Sequence, residues 1–105
     1  MNFLNSIEKI KESVENNRFS ILYITTEECG VCKSVYPKLL ELIDKYEHLN
    51  AMGCRTNEVE GVMGELMVFT IPTIMIFYEG KEVYRAERFI RFEELEEKLD
   101  FFSEL

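Results

Sequence analysis

The segment Phe19-Ser20-Ile21-Leu22-Tyr23-Ile24-Thr25-Thr26-Glu27-Glu28-Cys29-Gly30-Val31-Cys32 carries most of the architectural information in the chain. Its first eight residues form a short, mostly apolar run rich in β-formers. Such a run reads as a strand buried on both faces, the kind found in parallel sheets. After the two cysteines the period changes. From about Cys32 to Tyr46 the apolar residues Val35, Leu39, Leu42, Ile43 and Tyr46 recur at helical spacing. Pro37 lies inside this pattern and should kink the helix. The two cysteines therefore sit at a junction between a buried strand and a long helix.

That placement has chemical consequences. Cys29 is expected just ahead of the helix N-terminus, where free N–H groups and the helix dipole favour an anion. The thiolate is the reactive form of cysteine, so such a position promotes attack on a disulfide. Cys32 follows three residues later, within reach of a disulfide across one helical turn. One thiolate attacks, and the second, less exposed thiol resolves the mixed disulfide. Gly30 and Val31 are small and are expected to leave Cys29 accessible. Glu27 and Glu28 place negative charge beside Cys29, which should oppose the helix terminus in part.

On the N-terminal side, Ser6 to Asn16 reads as a helix with Ile7, Ile10 and Val14 on one face. On the C-terminal side, His48 to Thr56 gives a weaker strand. Asn57 to Phe69 has Val59, Val62, Met63, Leu66 and Met67 at helical spacing, but Gly61 and Gly64 reduce it to a short or broken helix. Thr70-Ile71-Pro72 is a turn, Thr73 to Tyr78 a strand, and Glu82 to Phe89 a second strand. The link Glu79-Gly80-Lys81 makes these two a hairpin. Arg91 to Glu104 closes the chain as a helix with Phe92, Leu95, Leu99 and Phe102 inward. The order is α-β-α-β-α-β-β-α: an α/β fold with a mixed sheet of four to five strands and helices on both faces. Met63, Met67, Met75 and Phe69 are read as core.

With 105 residues the chain forms one domain, residues 1–105. Twelve Lys and Arg stand against 20 Asp and Glu, a formal charge of −8. This argues against nucleic acid as a partner, because phosphate contacts need a basic face. It argues equally against docking on anionic membranes, and no apolar run reaches the roughly 20 residues that span a bilayer. The first eight residues lack a basic n-region and a long h-region, so no signal peptide is read there. A reducing cytoplasmic setting is expected, and three cysteines, an odd number, fit it better than a disulfide framework. A monomer is the default.

Cys29-Gly30-Val31-Cys32 after a strand, Lys33 directly behind it, Pro37 five residues past Cys32, Ile71-Pro72-Thr73, and Phe77-Tyr78-Glu79-Gly80-Lys81 occur in this order. In these motifs, and over most of its length, the chain resembles the thioredoxin family. The resemblance implies a thioredoxin-like fold and dithiol–disulfide exchange, most simply reduction of protein disulfides. Cys29 would be the nucleophile and Cys32 the resolving thiol. It implies a cis peptide bond before Pro72, lying against the disulfide. Ile71 would pair its backbone with a substrate segment, and Thr70, Gly30 and Val31 would border that segment. No organic cofactor and no metal is implied; electrons would come from a separate reductase or a small thiol.

Several positions depart from the family pattern. Glu28 stands where Trp is usual, Tyr23 where a buried acid is usual, Val31 where Pro is usual, and Arg88 where a small Gly is usual. The first edge strand is expected to be missing or vestigial. The proton acceptor for Cys32 is then Glu27 or water. A thioredoxin-like adaptor with little exchange activity is the competing reading; intact cysteines argue against it. A glutathione-dependent enzyme is a second rival, but its Cys pair is commonly flanked by aromatic and Pro residues, unlike Gly-Val. A zinc site from Cys29, Cys32, His48 and Cys54 has enough ligands. The intervening helix, however, would hold His48 on the order of 20 Å from the Cys pair. Cys54 is read as a small buried hydrophobe and His48 as a surface residue that caps the end of the long helix.

Overall fold

Strand β2 (Phe19–Thr25) occupies the middle of the sheet, and all seven of its residues are buried. The computed structural model describes residues 1–105. Around β2 lie β1 (Asn2–Phe3), α1 (Ile7–Glu15), α2 (Gly30–Ile43), β3 (Asn50–Arg55), α3 (Val62–Glu65), β4 (Thr73–Tyr78), β5 (Lys81–Glu87) and α4 (Phe92–Ser103). The sheet order is β1-β3-β2-β4-β5. β3 runs parallel to β2 and to β1, while β4 is antiparallel to β2 and β5 antiparallel to β4. The first edge strand is present but only two residues long, so the chain begins one element earlier than the sequence order suggests.

The period-2 alternation of β2 divides the core into two layers. Phe19, Ile21 and Tyr23 join Ile74 and Ile76 of β4 beneath Leu39 and Leu42 of α2 and Leu95 and Leu99 of α4. Leu22 and Ile24 face the other way, with Met52, Cys54 and Met75, beneath Ile10 and Val14 of α1 and the segment around α3. Each fully buried aliphatic side chain contributes roughly 1.5–3 kcal/mol of transfer free energy. The strand is apolar on both faces because helices cover both.

Local chemistry sets the element ends. Ser6 caps α1, its hydroxyl accepting from the Lys9 N–H at 3.2 Å. The hairpin between β4 and β5 turns on two residues, Glu79 and Gly80, both at positive φ (51° and 83°). That is the backbone sign a two-residue hairpin with the sheet's twist requires. Lys81 therefore belongs to β5, which is shifted toward the N-terminus of the expected span. β5 ends at Glu87, leaving Arg88 and Phe89 beyond it. Gly53 is a close-approach position: a Cβ there would lie 2.7 Å from the Phe3 ring.

Three sequence expectations change. Met67 and Phe69 are not core; they are 65% and 78% exposed. The helix carrying the spacing is only four residues long, and Met67 adopts a left-handed φ of 54°, so Val68 turns inward in their place. Met63 is half-buried, and only Met75 of the three methionines is fully in the core. His48 lies in an exposed turn well past Asp44, the residue that caps α2, so it does not cap that helix.

Cys54 is fully buried and unpaired. Burial, with a smaller push from Glu58, raises its thiol from an ordinary 9.0 to about 11. Between those values the unfolded chain has lost this proton and the folded chain keeps it. The contribution to stability is complete below pH 9 and is lost as pH rises toward 11. Unfolding by urea across this range, compared with Cys54→Ala, isolates the effect from the tyrosines. The stability gap between wild type and variant should narrow as pH rises; a constant gap would contradict the assignment.

Candidate active site

Helix α2 begins at Gly30, two residues earlier than its apolar stripe suggests, and Cys29 is its N-cap. The Cys29 backbone is extended (φ −108°, ψ 103°), and its Sγ accepts the backbone N–H of Cys32 at 3.1 Å. A helix N-terminus leaves its first N–H groups without carbonyl partners. Here one of them is aimed at sulfur, which favours the thiolate over the thiol when the dithiol is open. The structure holds Cys29 and Cys32 as a disulfide with Cα atoms 5.2 Å apart.

The expected difference in accessibility is small in this state. Cys29 is 8% exposed and Cys32 5%. Both are buried in the disulfide form. Gly30, beside it, is exposed, Val31 is half-buried, and Lys33 is exposed. Glu27 and Glu28 are also exposed. The strand-to-helix turn is held by Asn57, whose Oδ1 accepts the Glu27 N–H at 3.2 Å.

Beneath the disulfide, Tyr23 fills the position where the family usually has an acid. Its hydroxyl donates to the Cys32 carbonyl at 3.4 Å, and its ring stacks on Tyr36 with centroids 5.4 Å apart. Burial raises its phenol above the ordinary value. Tyr23 therefore stays protonated at neutral pH and offers no base to Cys32. A cavity of about 270 Å³ opens beside the pair, lined by Cys29, Cys32, Tyr23, Tyr36, Phe3 and Arg55 among others. Glu27 lines the same cavity, so it shares the space into which a Cys32 proton could pass. Arg55 lies over the Phe3 ring, 4.0 Å from its centroid. Sequence reasoning missed Phe3, Tyr36 and Arg55, because three separate elements bring them together.

The Ile71–Pro72 peptide bond is cis. Topology places it at the same end of the sheet as the disulfide: Thr73, the first residue of β4, pairs with Ile24 near the end of β2. Pro72 is buried, while Thr70 and Ile71 are half-buried. The Thr70 carbonyl accepts the Thr73 hydroxyl at 2.7 Å. Arg88 reaches back across the sheet edge. Its N–H donates to the Pro72 carbonyl at 2.7 Å, and its guanidinium to the Ile71 carbonyl at 3.0 Å. His48 and Cys54 do not join Cys29 and Cys32, and no three His, Cys, Asp or Glu side chains are grouped to hold a metal ion. No helix is long and apolar enough to cross a membrane.

Residues 3–100 match the family model described as Thioredoxin. The thioredoxin-like protein YdfQ of Bacillus subtilis is 34% identical over 94% of this chain and 88% of its own length. Thioredoxin H8 of Arabidopsis thaliana is 29% identical over 86% of this chain and 60% of its own. Among solved structures, Plasmodium falciparum thioredoxin superposes with a TM-score of 0.87 at 19% identity, covering 97% of this chain and 99% of that one. Mitochondrial thioredoxin 3 of Saccharomyces cerevisiae, in its oxidized form, gives 0.86 at 20% identity, over 96% and 94%. These structural likenesses establish the five-stranded thioredoxin fold. Together with the family match and the Cys29–Cys32 pair, they lead to one conclusion: the chain belongs to the thioredoxin family and is a thiol–disulfide oxidoreductase.

Proposed function

We propose that this chain reduces disulfide bonds in polypeptides, working in the reducing cytoplasm as a monomer. The observation that carries this reading is the Cys29 sulfur at the N-terminus of α2, accepting the Cys32 N–H beside Cys32 itself. In the reduced protein the Cys29 thiolate attacks one sulfur of the substrate disulfide. A Cys29–substrate bond forms, and the other substrate sulfur leaves as a thiolate. Cys32 gives up its proton to water or Glu27 and attacks Cys29. The second substrate thiolate leaves, and the Cys29–Cys32 disulfide remains. Two electrons have passed to the substrate, and a separate reductase or a small thiol must return them.

The substrate segment lies along Thr70, Ile71 and Pro72, with Gly30 and Val31 as its other border. Thr70 and Ile71, half-buried at the disulfide end of the sheet, support strand-like pairing there. The unpaired, buried Cys54 fits a reducing compartment. No organic cofactor or metal enters the cycle. The test is turnover of a disulfide-bonded polypeptide with dithiothreitol as the electron source. Catalysis well above the rate of dithiothreitol alone is expected; no acceleration would favour the adaptor reading.

A further inference from the structure

Arg88 occupies an unusual position. It adopts a left-handed φ of 63°, a conformation uncommon for a side chain of this size. Two hydrogen bonds, one from its backbone and one from its guanidinium, fix it to the two residues of the cis bond. In a chain of net charge −8 it pairs with no carboxylate: the ion pairs of this corner belong to Arg85, which holds Glu82 and Glu87. Its single side-chain hydrogen bond goes to the neutral Ile71 carbonyl, and its only other contact of note is with the Phe89 ring, so four of the five guanidinium N–H groups have no hydrogen-bond acceptor within the protein. Phe89, next to it in sequence, lies with its ring centroid 6.0 Å from the guanidinium carbon, and Phe69 directly precedes the Thr70-Ile71-Pro72 turn; each is 78% exposed. Arginine with exposed aromatics is the composition of a polypeptide contact surface.

From this arrangement we infer that Arg88 is a specificity-determining residue, selecting polypeptide disulfides with an acidic side chain beside the target cysteine. This rests on the exchange reading and on substrate approach at Ile71. The Ile71 carbonyl is occupied by the guanidinium. A neutral substrate segment pairing there shares the Ile71 carbonyl with the guanidinium or leaves the guanidinium to water, and gains no charged partner for it. A carboxylate gives the guanidinium a charged partner in a forked geometry that suits it, and the carbonyl is released to the substrate backbone. Phe69 and Phe89 provide apolar contact for a peptide that a small dithiol does not use.

The experiment uses disulfide-linked reporter peptides identical except for the residues flanking the cysteine: Glu, Gln or Lys. kcat/KM is measured with dithiothreitol as reductant for wild type, Arg88→Gly and Arg88→Glu. Glycine suits the left-handed backbone at this position. The expected order for wild type is Glu above Gln above Lys, spanning about three- to five-fold, the range of one exposed ion pair. High salt should compress that span. Arg88→Gly should level the three peptides and Arg88→Glu should reverse their order. A merely structural role would slow all three equally. Turnover by wild type with no charge order, or an order that survives Arg88→Gly, overturns the inference while the exchange reading stands. Turnover of none of the peptides overturns both.

Discussion

Cys29→Ser eliminates disulfide exchange, with turnover of a polypeptide disulfide falling by more than about 10³-fold. A serine hydroxyl does not ionise in the accessible range, and its oxygen cannot form the mixed disulfide through which electrons pass. The helix N-terminus does not rescue it, since a single N–H at 3.1 Å cannot ionise a serine hydroxyl. Cys32 does not substitute, because the free N–H of the helix terminus points at the Cys29 sulfur and not at that of Cys32, whose carbonyl is tied to the Tyr23 hydroxyl. Cys54 is fully buried, with its thiol raised to about 11. The assay is the turnover measurement with dithiothreitol. Retention of more than a tenth of wild-type activity would remove Cys29 from the role of nucleophile.

Cys32→Ser has an equally large effect of a different kind. The Cys32 backbone N–H that the Cys29 sulfur accepts is unaffected by a side-chain change, so the first attack proceeds. The mixed disulfide then meets no internal thiol. It persists until an external thiol cleaves it, and steady turnover falls by a comparable factor. With a disulfide-bonded substrate at low external thiol, mass spectrometry should find one substrate per protein, linked through Cys29. A variant that forms no adduct, or one linked through Cys54, would contradict the two-thiol mechanism.

The parts of the fold that were legible in the sequence are those whose signal is local. β2 announces itself because seven consecutive buried residues leave no room for alternation, and α2 because its stripe is long. The Cys-Gly-Val-Cys junction and the cis bond at Pro72 follow from short motifs read through the family resemblance. What escaped depends on distance along the chain or on where a short element stops. Helical spacing from Val59 to Met67 implied a buried Phe69. The helix that forms is four residues long, and a left-handed turn at Met67 puts Val68 inside instead. The extent of β5 depended on whether the hairpin used two residues or three. That moved Phe89 from a strand to an exposed loop. The cavity beside the disulfide joins Phe3, Tyr36 and Arg55 from β1, α2 and β3. The bond from Arg88 to Ile71 spans seventeen residues. No periodicity reports such pairings.

Tyr23 shows how the two levels complement each other. Sequence comparison marks it as a departure from an acid. The structure shows what replaces the acid: an aromatic stack on Tyr36 and a hydroxyl that donates to the Cys32 carbonyl without titrating near neutrality. In the proposed mechanism the exchange chemistry therefore rests on the helix terminus at Cys29, and Tyr23 supplies no base to Cys32.

The central claim is that Cys29 and Cys32 cycle reversibly between dithiol and disulfide. The direct measurement equilibrates the protein in dithiol/disulfide buffers of known potential, alkylates the free thiols and maps them by mass spectrometry. A two-electron transition confined to Cys29 and Cys32, with Cys54 a thiol throughout, is expected. Its midpoint should fall in the range of thioredoxins and glutaredoxins, roughly −200 to −270 mV. Failure of these two cysteines to form their disulfide at any potential would contradict the claim.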